Sequence, residues 1–308
     1  MKLLHGLDDL TGCRGGMVSI GNFDGVHRGH QAMIAALIEQ ARTAGVAAVA
    51  FTFDPHPITL LRPDAAPPRL STVAWKAELL ARYGVDCAIA YPTDWNLLNL
   101  TPREFFEQII VEKLAARGLV EGRNFFFGKN RAGDVDTLRS LCGRAGLSLT
   151  VVEPVTVGGR VVSSSRIRQL IGAGEVSKAV ELLGHPYRLR GTVVRGAERG
   201  RTIGVPTANV EGIETLLPAD GVYAGLVSQN EQQFPAAINV GPNPTFGEDR
   251  QKVEAHLLDF TGDLYGQPIE LDLIDRIRSV RTFAGVEELK AQLQRDFESV
   301  RAVAKRSG

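Results

Sequence analysis

A segment rich in glycine and histidine limits the fold of this chain more than any other stretch. Residues 21–30, Gly-Asn-Phe-Asp-Gly-Val-His-Arg-Gly-His, directly follow the short apolar run 17–20. Apolar residues then recur at helical spacing, at Met33, Ile34, Leu37, Ile38 and Ala41. This pattern predicts a strand, a glycine-rich turn and a helix, with His27 and His30 where the helix begins.

A helix entrance of this kind suits a nucleotide phosphate. Exposed backbone N–H groups and the positive end of the helix dipole favour an anion, and imidazole N–H groups can donate to phosphoryl oxygens. Ordinary loop histidines in a plain turn are the alternative, which fits a bare His-x-Gly-His better than this longer pattern. We expect nucleotide contacts from His27 and His30 and from the turn residues Gly21, Phe23, Asp24 and Gly25.

The short motif also occurs in class I aminoacyl-tRNA synthetases, so it indicates nucleotidyl transfer without naming a substrate. The chain has no Lys-Met-Ser-Lys-Ser segment, which such a synthetase would be expected to carry. The sequence therefore disfavours that class.

Chain length and charge limit the number of domains and the kinds of partner that we expect. A chain of 308 residues favours two domains. Its 35 Lys and Arg residues balance 35 Asp and Glu residues, so we expect no nucleic-acid partner. No run reaches the ~18 apolar residues of a membrane span, and residues 1–11 lack the apolar core of a signal peptide. We expect a cytoplasmic protein without a membrane partner, and its oligomeric state stays open.

The cysteines point to the same compartment. Cys13, Cys87 and Cys142 are far apart and show no metal-ligand spacing. We interpret them as buried or idle thiols, which suits a reducing cytoplasm.

In the first half of the chain, strand and helix patterns alternate. A capping box with proline at the first helical position, Thr101-Pro102-Arg103-Glu104, opens one helix, and we expect Gly118 to close it. The alternation predicts a doubly wound parallel sheet. The expected strands cover 46–53, 85–91 and 147–152, and the other expected helices cover 72–83 and begin near Asp134.

Near residue 185 the pattern changes to short strands divided by glycine, proline and asparagine turns. The expected strands are 187–194, 222–228, 236–240, 253–260 and 269–274, and residues 285–305 form an amphipathic helix. A small antiparallel barrel is the economical arrangement, because closure leaves no exposed edge. We therefore expect an α/β nucleotide-binding domain at 1–184, and a barrel domain with a C-terminal helix at 185–308.

Three further segments are candidates for the phosphate site. Phe51–Pro57 ends a strand, where ligands of open α/β sheets gather, although its prolines would equally suit a plain strand end. Asn124 precedes three phenylalanines, of which at least one is expected in the core while another can stack on a flat ligand. The run Ser163-Ser164-Ser165-Arg166-Ile167-Arg168 has hydroxyls and guanidiniums at a predicted helix start. This pattern is typical of anion binding. A serine N-cap with solvated arginines is the alternative for this run.

The second half has its own candidates. A glycine-flanked loop, Gly200–Gly204, precedes Pro206-Thr207-Ala208-Asn209, where Thr207 and Asn209 share one strand face. Their oxygens suit Mg²⁺ that keeps several waters. Glu254 is a carboxylate inside a predicted strand and can accept a proton from an attacking hydroxyl. Alternatively, Thr207 and Asn209 simply end a strand and Glu254 lies on a solvated face of the barrel.

These motifs closely resemble one known family, the bacterial bifunctional riboflavin kinase/FAD synthetase. The adenylyltransferase half is matched at Gly21–His30, Phe51–Pro57, Asn124–Asp134 and Ser163–Arg168, with Ser165 where the family usually has threonine. The riboflavin kinase half is matched at Gly191–Arg195, Gly200–Asn209, Gly221–Tyr223, Asn239–Gly247, Glu254 and Asp263–Gly266.

The resemblance implies two reactions, riboflavin with ATP giving FMN, and FMN with ATP giving FAD and pyrophosphate, both with Mg²⁺. It implies that His27 and His30 hold the ATP phosphates and that Asn124 orients a substrate. Ser164, Ser165, Arg166 and Arg168 would clamp the triphosphate. In the barrel, it implies a metal held by Thr207 and Asn209, Glu254 as the base, and Gly200–Gly204 as a lid.

Two other functions stay open from the sequence. One is a nucleotidyltransferase for a different phosphorylated substrate, with the barrel as a specificity domain. The other is a non-catalytic flavin-binding protein, which the presence of His27, His30, Asn209 and Glu254 disfavours.

Overall fold

The structure, a computed structural model, describes residues 1–196, 204–229, 232–243 and 248–307. By its contacts the chain divides into two units, Met1–Ser163 and Ser164–Gly308. Both architectures expected from the sequence are confirmed, a parallel sheet in the first unit and a closed antiparallel barrel with a C-terminal helix in the second.

The parallel sheet of the first unit has the strand order β1-β4-β3-β2-β5-β6. Its inner strands consist almost wholly of buried residues, as expected where helices cover both faces. The strands are β1 (Lys2–His5), β2 (Met17–Ile20), β3 (Ala48–Phe53), β4 (Cys87–Tyr91), β5 (Gly118–Gly122) and β6 (Ser148–Val152). The sequence analysis did not identify β5. A separate two-stranded ribbon follows, β7 (Thr156–Val157) with β8 (Arg160–Val161).

Helices α1 to α6 connect and cover these strands. They are α1 (Arg28–Ala44), α2 (Pro57–Leu61), α3 (Val73–Arg82), α4 (Trp95–Asn99), α5 (Pro102–Glu104) and α6 (Val135–Ala145). The first helix buries Ile34, Leu37 and Ala41, and it ends at Gly45, whose φ of 65° suits glycine. The periodicity of the apolar residues therefore located this helix and its buried face.

The capping box at Thr101 is present, but the expected helix end at Gly118 is wrong. After α5 the chain continues as a π-helix over Phe105–Lys113. Gly118 instead opens β5, where a Cβ atom would lie 2.0 Å from Ser148 Oγ. The glycine is therefore required by the close approach of β6, which the sequence does not reveal.

The expectation of three idle thiols is wrong for two of them. Cys13 and Cys87, 74 positions apart, form a disulfide with their Cα atoms 6.0 Å apart. Cys13 lies in the turn before β2 and Cys87 opens β4, so only the folded sheet brings them together. Cys142 is free and buried, and burial raises the pKa of its thiol to about 11.

The second unit is a closed barrel with the strand order β10-β13-β12-β11-β14-β9, all neighbours being antiparallel. The C-terminal helix, Val286–Ser307, packs Val300 and Val303 against Ala224 and Leu258. The strands are β9 (Tyr187–Val194), β10 (Ala208–Glu211), β11 (Gly221–Gln229), β12 (Gln232–Asn243), β13 (Glu248–Leu257) and β14 (Pro268–Arg278).

Two helices precede the barrel, α7 (Ser164–Gly172) and α8 (Val176–Leu183). By its contacts α8 packs against β9 and β14, so both helices fall in the second unit. The sequence analysis counted them with the first domain, because the change of pattern from helix to strand comes only after them.

Candidate active sites

In the sheet of the first unit, the order in which strands are added reverses at β2. From β2 the chain adds β3 and β4 on one side, and then β5 and β6 on the other. In such sheets ligands bind at the carboxyl ends of the strands, in the crevice where the order reverses. The turn that begins at Gly21 leaves β2 at this place, and Asn124 lies in the turn directly after β5.

The two histidines form a pair at the entrance to α1. His27 is the N-cap residue, and its Nδ1 accepts a hydrogen bond from the backbone N–H of His30 at 3.3 Å. The rings are stacked, with centroids 3.7 Å apart and planes at 12°. Gly29 is needed between them, because a Cβ atom there would lie 3.2 Å from the His27 ring.

The protonation of this pair follows from its surroundings. Loss of solvent, and then the neighbouring His27 and Lys76, hold the pKa of His30 well below its usual value. His30 is therefore neutral at neutral pH. Because Nδ1 of His27 accepts a hydrogen bond, the proton of its neutral ring is on Nε2. His30 Nδ1 has no hydrogen-bond partner among the residues that the structure describes.

The turn before the histidines is held in place by hydrogen bonds to the side chain of Asp24. The Asp24 carboxylate accepts hydrogen bonds from the backbone N–H of Leu70 and from the backbone N–H and hydroxyl of Ser71, at 3.0–3.1 Å. Phe23 is wholly buried and meets His30 edge-on at 5.3 Å. Phe23 and Val26 both have positive φ, at 45° and 36°. The turn is thus an ordered, strained segment, as ligand-binding loops often are.

A buried lysine lies beneath the same turn. Lys76 of α3 is 6% exposed, and its ammonium donates to the Thr52 hydroxyl at 3.1 Å. Thr52 in turn donates to the backbone oxygen of Asn22 at 3.0 Å. Burial lowers the pKa of Lys76 to about 8, against the opposing effect of Asp24 and Asp54. The sequence analysis missed this residue, because a lysine in an amphipathic helix is usually solvated.

The other segments predicted for this site differ in their burial and in their hydrogen bonds. His56 is the N-cap of α2 and accepts from the backbone N–H of Ile58 at 3.1 Å, so it has a capping role whatever else it does. Asn124 is exposed. Of the three phenylalanines, Phe125 and Phe127 stack within the core at 5.5 Å, whereas Phe126 is 47% exposed.

The serine and arginine run begins where the two units divide. Ser163 is the last residue of the first unit, and Ser164 and Ser165 start α7 of the second. Arg166 and Arg168 are the third and fifth residues of this helix, and Ile167 between them is wholly buried. The predicted helix start is confirmed, and the proposed role of this run at the phosphate site stays a prediction.

In the barrel, the fold brings Asn209 and Glu254 directly opposite each other. Asn209 of β10 pairs in register with Glu254 of β13, and Glu254 pairs on its other side with Asn239 of β12. Directly opposed residues in antiparallel strands share one face, with Cβ atoms about 4.5–5.5 Å apart. The neighbours Ala208 and Ala255 are buried on the other face. A carboxylate therefore lies in a row between two amides.

The remaining barrel candidates lie in the segment that precedes β10. Thr207 immediately precedes β10 and is half-buried, and Pro206 and Gly204 are exposed. Gly200 and most of the expected lid lie outside the described residues. Gly196, which the sequence analysis did not single out, lies against Asn209, because a Cβ atom there would lie 2.2 Å from Asn209 Nδ2. Asn239 was quoted only as part of a motif, because its position opposite Glu254 depends on strand register.

The described residues contain no helix that is long and apolar enough to cross a membrane. They also contain no group of three His, Cys, Asp or Glu side chains arranged to hold a metal ion. Threonine and asparagine oxygens beside a carboxylate are nevertheless ligands that Mg²⁺ accepts when nucleotide phosphates and water complete its shell.

A parallel sheet and a closed barrel, each with its own cluster of polar side chains, together fit a two-domain, nucleotide-dependent transferase. Comparison with known proteins identifies the family. A family model described as FAD synthetase matches residues 11–166, and one described as riboflavin kinase matches residues 183–304. The chain belongs to the family of bifunctional riboflavin kinase/FMN adenylyltransferases.

Individual relatives agree with this family over nearly the whole chain. The bifunctional riboflavin kinase/FMN adenylyltransferase of Escherichia coli K12 is 38% identical, over 96% of both chains. The protein of that name from Bacillus subtilis is 36% identical, over 91% of this chain and 90% of its own length. A solved structure from Streptococcus pneumoniae, titled a macrolide-efflux protein, superposes with a TM-score of 0.87 at 31% identity, covering 98% of this chain and 99% of its own.

Proposed function

We propose that the second unit phosphorylates riboflavin to FMN and that the first unit adenylylates FMN to FAD, each at the site described above. The observation that carries the proposal is that each family model covers one of the two candidate sites, in the same order along the chain. The sheet unit holds the histidine pair and the barrel unit holds the Asn209–Glu254 pair.

In the adenylylation reaction, an FMN phosphate oxygen attacks the α-phosphorus of ATP, a new P–O bond forms, and pyrophosphate leaves as its bond to that phosphorus breaks. His27 and His30 act as hydrogen-bond donors to the phosphate oxygens, where negative charge moves toward the leaving group. Neutral imidazoles can do this, because donation needs an N–H and not a net charge. The rigid pairing of the two rings supplies the positioning on which such transfers depend.

Other residues assist the same step in this proposal. The backbone of the turn Gly21, Phe23 and Gly25 lies against the phosphates, and Asp24 holds that turn in shape. Asn124 orients one of the two substrates from the end of β5. Hydroxyls of Ser163, Ser164 and Ser165 and the guanidiniums of Arg166 and Arg168 bind the remaining phosphate charge, for which bidentate arginine geometry is well suited.

In the kinase reaction, Glu254 takes the proton of the riboflavin 5′-hydroxyl as the oxygen attacks the γ-phosphorus of ATP, and ADP leaves. Thr207 and Asn209 hold Mg²⁺ through their side-chain oxygens, and the ion neutralises charge on the nucleotide phosphates when it is bound. Gly204 and Pro206 line the approach of the nucleotide. Because Asn209 lies directly opposite Glu254, the base and the metal ligand face the same reacting group.

We also propose the cytoplasm as the compartment, because both reactions consume ATP. The Cys13–Cys87 disulfide is an uncommon feature for that compartment. Neither reaction requires a nucleic acid or a membrane, and the proposal assigns no role to either.

The test is chromatography of the purified protein incubated with riboflavin, ATP and Mg²⁺, sampled over time. We expect FMN to rise before FAD. In a variant with His27→Ala and His30→Ala together, we expect FMN to accumulate without FAD. FAD formation by that variant would contradict the phosphate site, and absence of FMN in the wild-type protein would favour a nucleotidyltransferase for another acceptor or a flavin-binding protein.

A further inference from the structure

His256 lies close to the kinase site without belonging to the Asn209–Glu254 pair. It follows Glu254 by two residues and shares its face of β13, because Ala255 between them points to the buried side. Nδ1 of His256 lies 2.7 Å from the backbone oxygen of Pro206. A carbonyl oxygen can only accept, so Nδ1 carries the proton and donates. This bond connects β13 to the residue just before Thr207.

The segment that receives this hydrogen bond has little else to hold it. Strand β10 begins at Ala208, so Gly204–Thr207 precedes the strand ladder. Apart from strand pairing, the bond from His256 is the only hydrogen bond that Gly204–Thr207 makes to the described part of the chain. Proline has no N–H of its own to add another. The plane of the peptide that joins Pro206 to Thr207 therefore depends on His256.

The His256 ring is itself fixed by the C-terminal helix. The Phe297 ring lies against it, with centroids 4.7 Å apart. One helical turn further, Arg301 forms a double hydrogen bond with Asp259 at 2.6 and 2.9 Å, which holds the helix to the end of β13. Burial lowers the pKa of His256, so the ring is neutral and one nitrogen remains a donor. The helix, the ring and the Pro206 carbonyl thus form one connected chain of contacts.

We propose that His256 is a positioning residue of the kinase site. Its Nδ1–H, backed by Phe297, fixes the Pro206 carbonyl and so presents Thr207 and Asn209 to the Mg²⁺–nucleotide. This inference rests on the proposed function, in which those two residues hold the metal. His256 does not touch the reacting atoms in this account, and the C-terminal helix becomes part of the nucleotide site although it contributes no ligand.

The test compares four variants of the full-length protein. His256→Phe keeps a ring against Phe297 but removes the donor, whereas His256→Asn places an amide N–H at the same number of bonds from Cα as Nδ1. Phe297→Leu leaves the donor but removes its backing. Lys290→Gln is the matched control, because it removes a surface ion pair with Glu287 on the same helix, two helical turns before Phe297. The riboflavin kinase KM for ATP–Mg²⁺ and kcat are measured, and FMN adenylylation by the other unit serves as the internal control.

We expect His256→Phe to raise the KM for ATP–Mg²⁺ about tenfold, the effect of losing about one net hydrogen bond, with kcat changed much less. His256→Asn should restore most of the loss, Phe297→Leu should raise KM by a smaller factor, and Lys290→Gln should match the wild type. A folded His256→Phe with wild-type KM would overturn the proposal, as would His256→Asn being no better than His256→Phe. If His256→Phe does not fold, the KM of Phe297→Leu tests the proposal instead. An unchanged KM in that variant would contradict the positioning role of His256.

An Asn209→Ala variant in the same series separates this inference from the proposed function. A raised Mg²⁺ requirement in Asn209→Ala together with wild-type kinetics in His256→Phe would remove only the positioning role. An unchanged Mg²⁺ requirement in Asn209→Ala would instead remove the metal assignment, and the KM of His256→Phe would still report whether His256 orders the nucleotide site.

Discussion

The carboxyl group of Glu121 accepts a hydrogen bond from the backbone N–H of Ile20 at 2.8 Å, in the interior of the first unit. Strands β2 and β5 pair at Met17–Val18, so Ile20 lies beyond the paired residues of these two strands. The side chain therefore satisfies an N–H that the strand ladder no longer reaches. Glu121 is wholly buried, and burial raises the pKa of its carboxyl group well above the usual value.

Glu121→Gln is expected to be tolerated, because an amide keeps the acceptor for Ile20 without a titrating group. Glu121→Leu leaves that buried N–H unpaired and should lower the free energy of unfolding by about 1–3 kcal/mol. It should also reduce FMN adenylylation, because Gly21 follows Ile20 directly. Thermal unfolding and both activities measure this, and equal stability of the Gln and Leu variants would contradict the assigned hydrogen bond.

The difference in stability between the wild type and Glu121→Gln should depend on pH, with a defined sign. Between the usual glutamate pKa of 4.5 and the raised value, the unfolded chain releases a proton that the native protein keeps. Native stability then falls as pH rises through this window. Glu121→Gln lacks this loss, so its advantage over the wild type should grow from pH 4.5 toward neutrality. A constant difference across that range would count against a raised pKa of Glu121.

Lys76→Met should separate stability from activity. The buried ammonium is costly, so its removal should keep or raise the free energy of unfolding at pH 7. The lysine also orders the turn through Thr52 and Asn22, so FMN adenylylation should fall on the order of a hundredfold while the kinase is spared.

The wild-type adenylylation rate should also decline above pH about 8, where Lys76 loses its proton. Native stability should rise from that pH toward 10.5, because there the unfolded chain holds a proton that the native protein lacks. A pH–rate profile of the Lys76→Met protein is the control, since this declining limb should be absent from it.

The Cys13–Cys87 disulfide predicts a thiol count and a stability change. Denatured, unreduced protein should show one reactive thiol, that of Cys142, and three after reduction. Cys13→Ala should cost up to about 4.5 kcal/mol in the free energy of unfolding, as chain entropy predicts for a loop of this length. Three thiols without reductant would show that the bond is absent in the purified protein.

Glu254→Gln should reduce riboflavin phosphorylation by roughly 10²–10⁴-fold, because the amide cannot accept the hydroxyl proton. FMN adenylylation by the same protein should be unchanged, since Glu254 lies in the other unit. An equal loss in both reactions would contradict its role as the base.

Gly196→Ala tests how closely the kinase site is packed. A Cβ atom would meet the Asn209 amide at 2.2 Å, so that side chain must move. We expect a higher Mg²⁺ requirement for riboflavin phosphorylation. Gly285→Ala is the control, because a Cβ atom there meets open space. Gly212→Ala is less suitable, because the φ of Gly212 is 75° and alanine would strain the backbone.

The sequence by itself determined the features that are local along the chain. The strand–turn–helix at Gly21–His30, the capping box at Thr101 and the change from helical to alternating period near residue 185 depend on neighbouring residues, so their patterns can be read directly. Both motif sets were recognisable for the same reason, because each stands in a short continuous stretch.

The tertiary structure decided the relationships between residues far apart in sequence. Glu121 meets Ile20 across 101 positions, Cys13 meets Cys87 across 74, and His256 meets Pro206 across 50. Each depends on strand order and register, which are set by the packing of the whole sheet or barrel and not by local propensity. A buried lysine or glutamate carries no mark in the sequence, because only burial by distant elements changes its charge and gives it a role.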